Sequence, residues 1–254
     1  MALMIAILSP AKTFDRIASP VSVAPGKPFF EQEAHALARS AARITRKKLG
    51  ALMHISPELA ALNAARFQGF QGQEARPAIL SFAGDVYRGF DAASLDEETQ
   101  RFAEAHVRIL SGLYGLLRPS DAIRPYRIEM GTPWAPRVGD LYRFWKGRIA
   151  RQLEKELGDE GSGTLVNLAS KEYWRAVEPH LAPGVRVVTI DFRDAGPKGL
   201  HFNTFAAKKA RGAMARFMCD ERIGEVAALT AFDAGGYAFD ADGSSADFLR
   251  FVRK

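Results

Sequence analysis

The densest chemistry in the chain lies between residues 118 and 131: Arg118, Asp121, Arg124, Arg127 and Glu129, set among Pro119, Pro125 and Gly131. A guanidinium offers a planar fork of donors, so Arg118 and Arg127 could together clamp a phosphate or a carboxylate. A carboxylate beside them could move a proton, which gives Glu129 an acid/base role. Proline fixes φ and restricts the residue before it, so charges held between prolines have few directions available. The same residue set would equally form a buried Arg–Glu pair. Upstream, the apolar Ile109 and Leu110 stop at Ser111 and Gly112. Two other apolar runs end the same way, Leu8 into Ser9 and Ala169 into Ser170, and each is soon followed by a lysine, Lys12 and Lys171. If the three runs are parallel strands, these hydroxyls and cations gather on one rim, where open α/β sheets bind ligands. Asp85, after the apolar run 78–82, is a second candidate acid/base.

A second concentration of charge is helical. Over residues 206–222, Ala206, Ala210, Ala213, Met214 and Phe217 fall on one face at 100° per residue. Lys208, Lys209, Arg211, Arg216 and Arg222 take the opposite half. Such a face can track a phosphate backbone or simply be solvated.

The elements that must position these groups alternate between strand and helix. Met4 to Leu8 is apolar without alternation, as suits a strand covered on both faces. A Pro-containing connection is expected over 16–28 and a helix over 31–49, closed by basic residues and Gly50. Ser56 with Pro57 predicts an N-cap and first turn for a helix through Phe67, so 51–67 reads as a helical hairpin whose turn lacks glycine. A strand is expected over 78–82, a capping box at Ser94 and Glu97 with a helix to about His106, and one helix over 141–157. A loop at 161–163, strands at 164–168 and 185–192, a paired segment at 200–205 and a terminal hairpin complete the pattern, which suits one mixed α/β domain.

Composition narrows the function classes. The chain of 254 residues is 47% hydrophobic and 25% charged, ordinary for a globular protein. Lys and Arg number 35 against 29 Asp and Glu, a net charge of +6 that permits anionic partners without requiring them. A single cysteine, Cys219, rules out an intramolecular disulfide framework, and its apolar surroundings predict a buried thiol rather than a nucleophile. The apolar start is too short to span a bilayer and lacks a basic n-region and a cleavage site, so a cytoplasmic protein is expected. The histidines are scattered and no HExxH, paired cysteines, GxSxG or GxGxxG is present, so no metal site or cofactor is expected and standard hydrolase and dehydrogenase chemistry is disfavoured.

Six blocks, in order, resemble the YaaA family of bacterial peroxide-stress proteins: LSPAKT (8–13), FAGDVYRG (82–89), LSGLYGLLRPSD with PYRIEMG (110–121 and 125–131), LYRFW (141–145), NLASKEY (167–173) and AKKARGAMARF (207–217). The resemblance covers essentially the whole chain. It implies a cytoplasmic protein with no known cofactor that limits free iron, and so Fenton damage to DNA, during hydrogen peroxide stress. It also implies a mixed α/β fold with a positively charged cleft, and DNA binding involving a helix-hairpin-helix element.

Residues and resemblance together predict a single α/β (α+β) domain over 1–254, with a central mixed sheet, flanking helices and a basic cleft at the strand ends. The expected partner is DNA, double-stranded or branched, with Lys208, Lys209 and Arg211 on its phosphates and Lys12, Arg118 and Arg127 lining the cleft. The alternative is an enzyme acting on a nucleotide or other small anion. It would use the Arg118, Arg127 and Glu129 block, with Ser9, Asp85, Ser111, Ser170 and Lys171 in the pocket. No membrane association is expected.

Overall fold

The computed structural model describes residues 4–15, 24–161 and 163–254. The connection expected over 16–28 lies outside them as far as residue 23, as does Ser162 of the expected 161–163 loop. In chain order the strands are β1 (Ile5–Leu8), β2 (Thr13–Phe14), β3 (Arg76–Pro77), β4 (Phe82–Ala83), β5 (Val107–Ser111), β6 (Gly115–Leu117), β7 (Ala122–Ile123), β8 (Thr164–Asn167), β9 (Arg186–Gly196), β10 (Gly199–His201), β11 (Tyr237–Ser245) and β12 (Phe248–Arg253). The helices are α1 (Glu31–Ala41), α2 (Arg46–Met53), α3 (Pro57–Gln68), α4 (Ala78–Ser81), α5 (Asp85–Phe90), α6 (Glu97–His106), α7 (Leu141–Trp145), α8 (Arg148–Glu160), α9 (Lys171–Trp174) and α10 (Thr204–Asp220).

An eight-stranded mixed sheet forms the centre, in the order β11-β12-β9-β8-β1-β5-β6 with β10 on β9. Strands β5, β1, β8, β9 and β12 run parallel, whereas β6, β10 and β11 pair antiparallel. The non-alternating IAIL of β1 is buried at every position, the signature of a strand covered on both faces. From β1 the chain crosses to β5 on one side, and from β8 it continues to β9 on the other. The crevice between the carboxyl ends of β1 and β8 is therefore the topological switch point, where ligands bind in open α/β sheets. The expectation of a mixed sheet flanked by helices holds.

Local chemistry rearranges several expected elements. The helix expected over 31–49 divides, because the Thr45 side chain accepts from Lys48 N (3.3 Å) and starts α2 afresh. Ser56 caps α3 as expected, accepting from Leu59 N at 3.4 Å. At 78–82 the expected strand is the short helix α4 followed by β4, with the amides of Ala78 and Ile79 bonded to the carbonyls of Asp121 and Pro119. Asp96, not Ser94, caps α6, because its carboxylate reaches Thr99 N at 2.7 Å. The helix expected over 141–157 breaks at Gly147, which takes φ 68° between α7 and α8. Among the described residues no helix is long and apolar enough to cross a membrane. Cys219 is buried, and burial pushes its thiol pKa up to about 12.

One packing contact fixes the surroundings of the switch point. Helices α5 and α10 cross at two glycines. A methyl at Gly89 would meet the Lys209 carbonyl, and one at Gly212 would meet the Val86 carbonyl. Their missing side chains let the two backbones touch, which holds the second and third turns of α10 along the length of α5.

Candidate functional site

Three segments converge on the β1/β8 crevice. After β1, residues 9–12 leave the sheet, and Thr13 is held by the short ladder β2–β4, where its hydroxyl donates to the Ala83 carbonyl at 2.6 Å. After β8, Leu168 and Ser170 lead into α9. Ser170 N donates to the Ser9 hydroxyl at 2.8 Å, and the Ser9 hydroxyl donates to that of Ser170 at 3.3 Å. The third wall is the α5–α10 pair. Together they enclose a cleft of about 380 Å³ lined by Ser9, Lys12, Asp85, Ser170, Lys208 and Arg211, with Tyr87, Glu172 and Tyr173 among the further walls. The expected convergence of strand-end serines is thus realised by β1 and β8.

The electrostatics of the cleft are uneven. Lys12 Nζ lies 3.2 Å from Glu129 Oε1, which also takes Arg127 at 3.2 Å. Glu129 Oε2 is buried with no hydrogen-bond partner. Asp85 pairs with Arg88 at 3.3 Å, and Glu172 accepts from Gly131 N at 2.8 Å. By contrast, among the described residues neither Lys208 nor Arg211 joins an ion pair, and Arg211 Nε is buried without a hydrogen-bond partner. Burial pushes the Arg211 pKa down, against the opposing charge of Asp191, but a guanidinium stays protonated in proteins regardless. The tyrosine walls are held neutral, because burial raises the pKa of Tyr87 and Tyr173 well above that of a free phenol. Tyr87 donates to the Ser9 carbonyl at 3.1 Å, which ties α5 to the strand end. The chemistry on offer is anion binding by two cations that join no ion pair among the described residues, with the Ser9 and Ser170 hydroxyls at the base and the Asp85 and Glu172 carboxylates in the same lining.

A family model described as peroxide stress protein YaaA matches residues 4–243. The chain belongs to the YaaA family. It is similar to a UPF0246 protein of Rhizorhabdus wittichii, 52% identical over 251 residues that cover 98% of this chain and 99% of the relative. UPF0246 proteins of Roseobacter denitrificans and Ruegeria pomeroyi are each 44% identical, covering 98% of this chain and 98% of each relative. Membership of the YaaA family carries a general role in peroxide stress.

Within this YaaA-family chain the residues singled out in the sequence fall into two groups. Ser9, Lys12, Asp85, Ser170, Lys208 and Arg211 line one cleft. Arg127 and Glu129 adjoin it through Lys12, on an extended segment where Tyr126, Ile128 and Met130 are buried between them. The rest lie elsewhere. Ser111 is fully buried, shares a 2.6 Å hydrogen bond with the Tyr126 hydroxyl and accepts from Tyr114 N at 2.8 Å. Arg118 stacks over Phe29 at 4.4 Å and donates to the Lys27 carbonyl at 3.0 Å, so it does not converge with Arg127. Lys171 is exposed and outside the cleft wall. Lys209 turns to a separate groove with Arg88 and Arg253. The basic face of α10 is likewise not continuous. Arg216 is tied to Asp220 and to the carbonyls of Phe90 and Asp91, and Arg222 lies beyond the helix, paired with Glu98. The residues missed in the sequence are Tyr87, Glu172 and Tyr173. Their only signal was adjacency to Asp85 and Ser170, within the blocks FAGDVYRG and NLASKEY.

Proposed function

We propose that this chain is a cytoplasmic peroxide stress protein that binds DNA phosphates in the basic cleft at the β1/β8 crevice and so limits iron-dependent Fenton damage to DNA. The observation that carries the reading is the pair of cations that join no ion pair among the described residues, Lys208 and Arg211, beside the strand-end hydroxyls. Lys208 is exposed to solvent, whereas Arg211 is half-buried with its Nε unpartnered, and a desolvated cation of that kind is costly unless an anion completes it. The family description supports the peroxide context, and the single buried cysteine suits a reducing compartment. Contacts of this kind are largely independent of base sequence and weaken steeply with salt. The test is fluorescence anisotropy of labelled duplex and branched DNA across a salt series. Lys208→Ala and Arg211→Ala should each lower the log–log salt slope by about 1. A double variant with unchanged affinity and unchanged slope would remove the cleft from DNA binding.

A second reading is favoured by one specific feature. Glu129 holds Lys12 and Arg127 on one oxygen and leaves the other buried and unpartnered, as a general base awaiting a substrate hydrogen would. That reading makes the cleft an enzyme site for a nucleotide or other small anion. Calorimetry with nucleoside monophosphates separates the two: tight stoichiometric binding abolished in Lys12→Ala supports the enzyme, and none detected at millimolar ligand rejects it.

A further inference from the structure

Large apolar side chains left in water are unevenly placed in this protein. Leu200, Phe202 and Phe205 are 46%, 44% and 73% exposed, and they run in one stretch from β10 into the first turn of α10. Isolated exposed apolar residues are unremarkable, but a contiguous group beside charge marks an interaction site. Here the charge is cationic. Arg193 and Arg211 lie over the Phe202 ring at 5.6 and 5.9 Å, and Lys208 follows Phe205 by three residues on α10, so the two are neighbours on the helix surface. Arg211 and Lys208 are also the cleft cations that join no ion pair among the described residues. An anion site and an open aromatic ring are therefore presented side by side.

A ligand matching both must carry a negative charge and a flat π-face. The bases of an intact duplex are stacked on one another and offer no free face, whereas an unpaired base does. The size agrees: about 380 Å³ lies at the small end of ligand sites and takes one nucleotide, not a stack of base pairs. Resting on the DNA-binding reading above, we propose that the cleft and its aromatic rim take one unpaired nucleotide of a DNA strand. Its phosphate lies between Lys208, Arg211 and the Ser9 and Ser170 hydroxyls, and its base stacks on Phe205. Phe202, already covered by two guanidiniums, orients Arg211 and leaves Phe205 as the platform.

The test uses the full chain and three oligonucleotides of one sequence carrying 2-aminopurine: single-stranded, bulged at the probe, and fully paired. The single-stranded and bulged forms should bind about ten-fold more tightly than the duplex, with a change in probe emission on binding. Phe205→Ala should erase that preference, a loss of about ten-fold that falls within the range expected for base–aromatic stacking, and leave duplex affinity intact. Equal affinity for all three DNAs, with Phe205→Ala indistinguishable from the parent, overturns this inference while salt-dependent duplex binding leaves the DNA reading standing. No binding to any DNA at low salt overturns both. Free deoxynucleoside monophosphate binding as tightly as the strand would make the site one for small nucleotides. A dimer by sedimentation that Phe205→Ala converts to monomer would assign the aromatic patch to self-association. Either result overturns the strand proposal.

Discussion

Two regions of this molecule carry the same kinds of side chain and use them in opposite ways. Residues 108–124 hold arginines, carboxylates, serine and tyrosine, and most polar groups there are consumed internally, although Arg118 Nε and Asp121 Oδ1 are buried without a hydrogen-bond partner. Arg108 is 5% exposed, bonds Glu156 through two nitrogens at 2.7 and 3.1 Å, and gives its third to the carbonyls of Glu104 and Val107. The Glu104 carboxylate takes the amide and hydroxyl of Ser120 at 2.9 and 2.7 Å, and Arg124 N donates to the Tyr114 hydroxyl. At the β1/β8 crevice, by contrast, among the described residues Lys208 and Arg211 join no ion pair and the serines face a cleft. Density of chemistry in a sequence therefore does not locate a site; side chains without ion pairs that also line a cleft are the better guide.

Arg108→Ala strands Glu156 and two carbonyls inside the protein, and should lower the unfolding free energy by about 3–5 kcal/mol in a denaturant titration. A loss below about 1 kcal/mol would mean that these pairs are not holding the fold. Asp121 sharpens the contrast through pH. Its side chain is fully buried, accepts from Arg118 N at 2.9 Å and lies 3.4 Å from the Arg118 guanidinium, yet burial dominates and raises its pKa to about 6. The folded state therefore binds this proton more tightly than the unfolded chain, where the pKa is near 3.9. The Asp121 contribution should cost stability as pH rises from about 4 to 6 and stay at that level above, by up to about 3 kcal/mol. Asp121→Asn should flatten this part of the stability–pH curve measured by denaturant titration, and an unchanged slope would contradict the assignment. The smallest effect belongs to the cleft. Lys208→Ala should change the unfolding free energy by less than about 0.5 kcal/mol, because the residue supports nothing within the fold. A larger loss in thermal unfolding would place Lys208 with the scaffold.

The same contrast explains what was legible in the sequence. β1 and β8 could be read because apolar runs without alternation suit buried parallel strands, and their hydroxyl ends followed from that geometry. Ser56–Pro57 could be read because capping is local. The breaks at Thr45 and Gly147 were concealed because the apolar spacing continues across them, while a single cap or a left-handed glycine decides the chain direction. At the site, Lys12, Ser9, Ser170, Lys208 and Arg211 were recognisable by type. Ser111 and Arg118 were chemically indistinguishable from them, and only tertiary contacts with Tyr126 and Phe29 separate the two sets. Tyr87 and Tyr173 lay inside apolar or helical runs, where nothing local marks a residue as cleft wall.

The touching glycines of α5 and α10 have a further consequence. Because Gly89 and Gly212 bring main chain against main chain, the spacing of the two helices that form one cleft wall is set by backbone atoms, while Lys208, Arg211 and Asp85 supply side chains to the lining. Shape and selectivity are thereby separable. Exchanging a lining side chain would then change the anion accepted without moving the two helices apart.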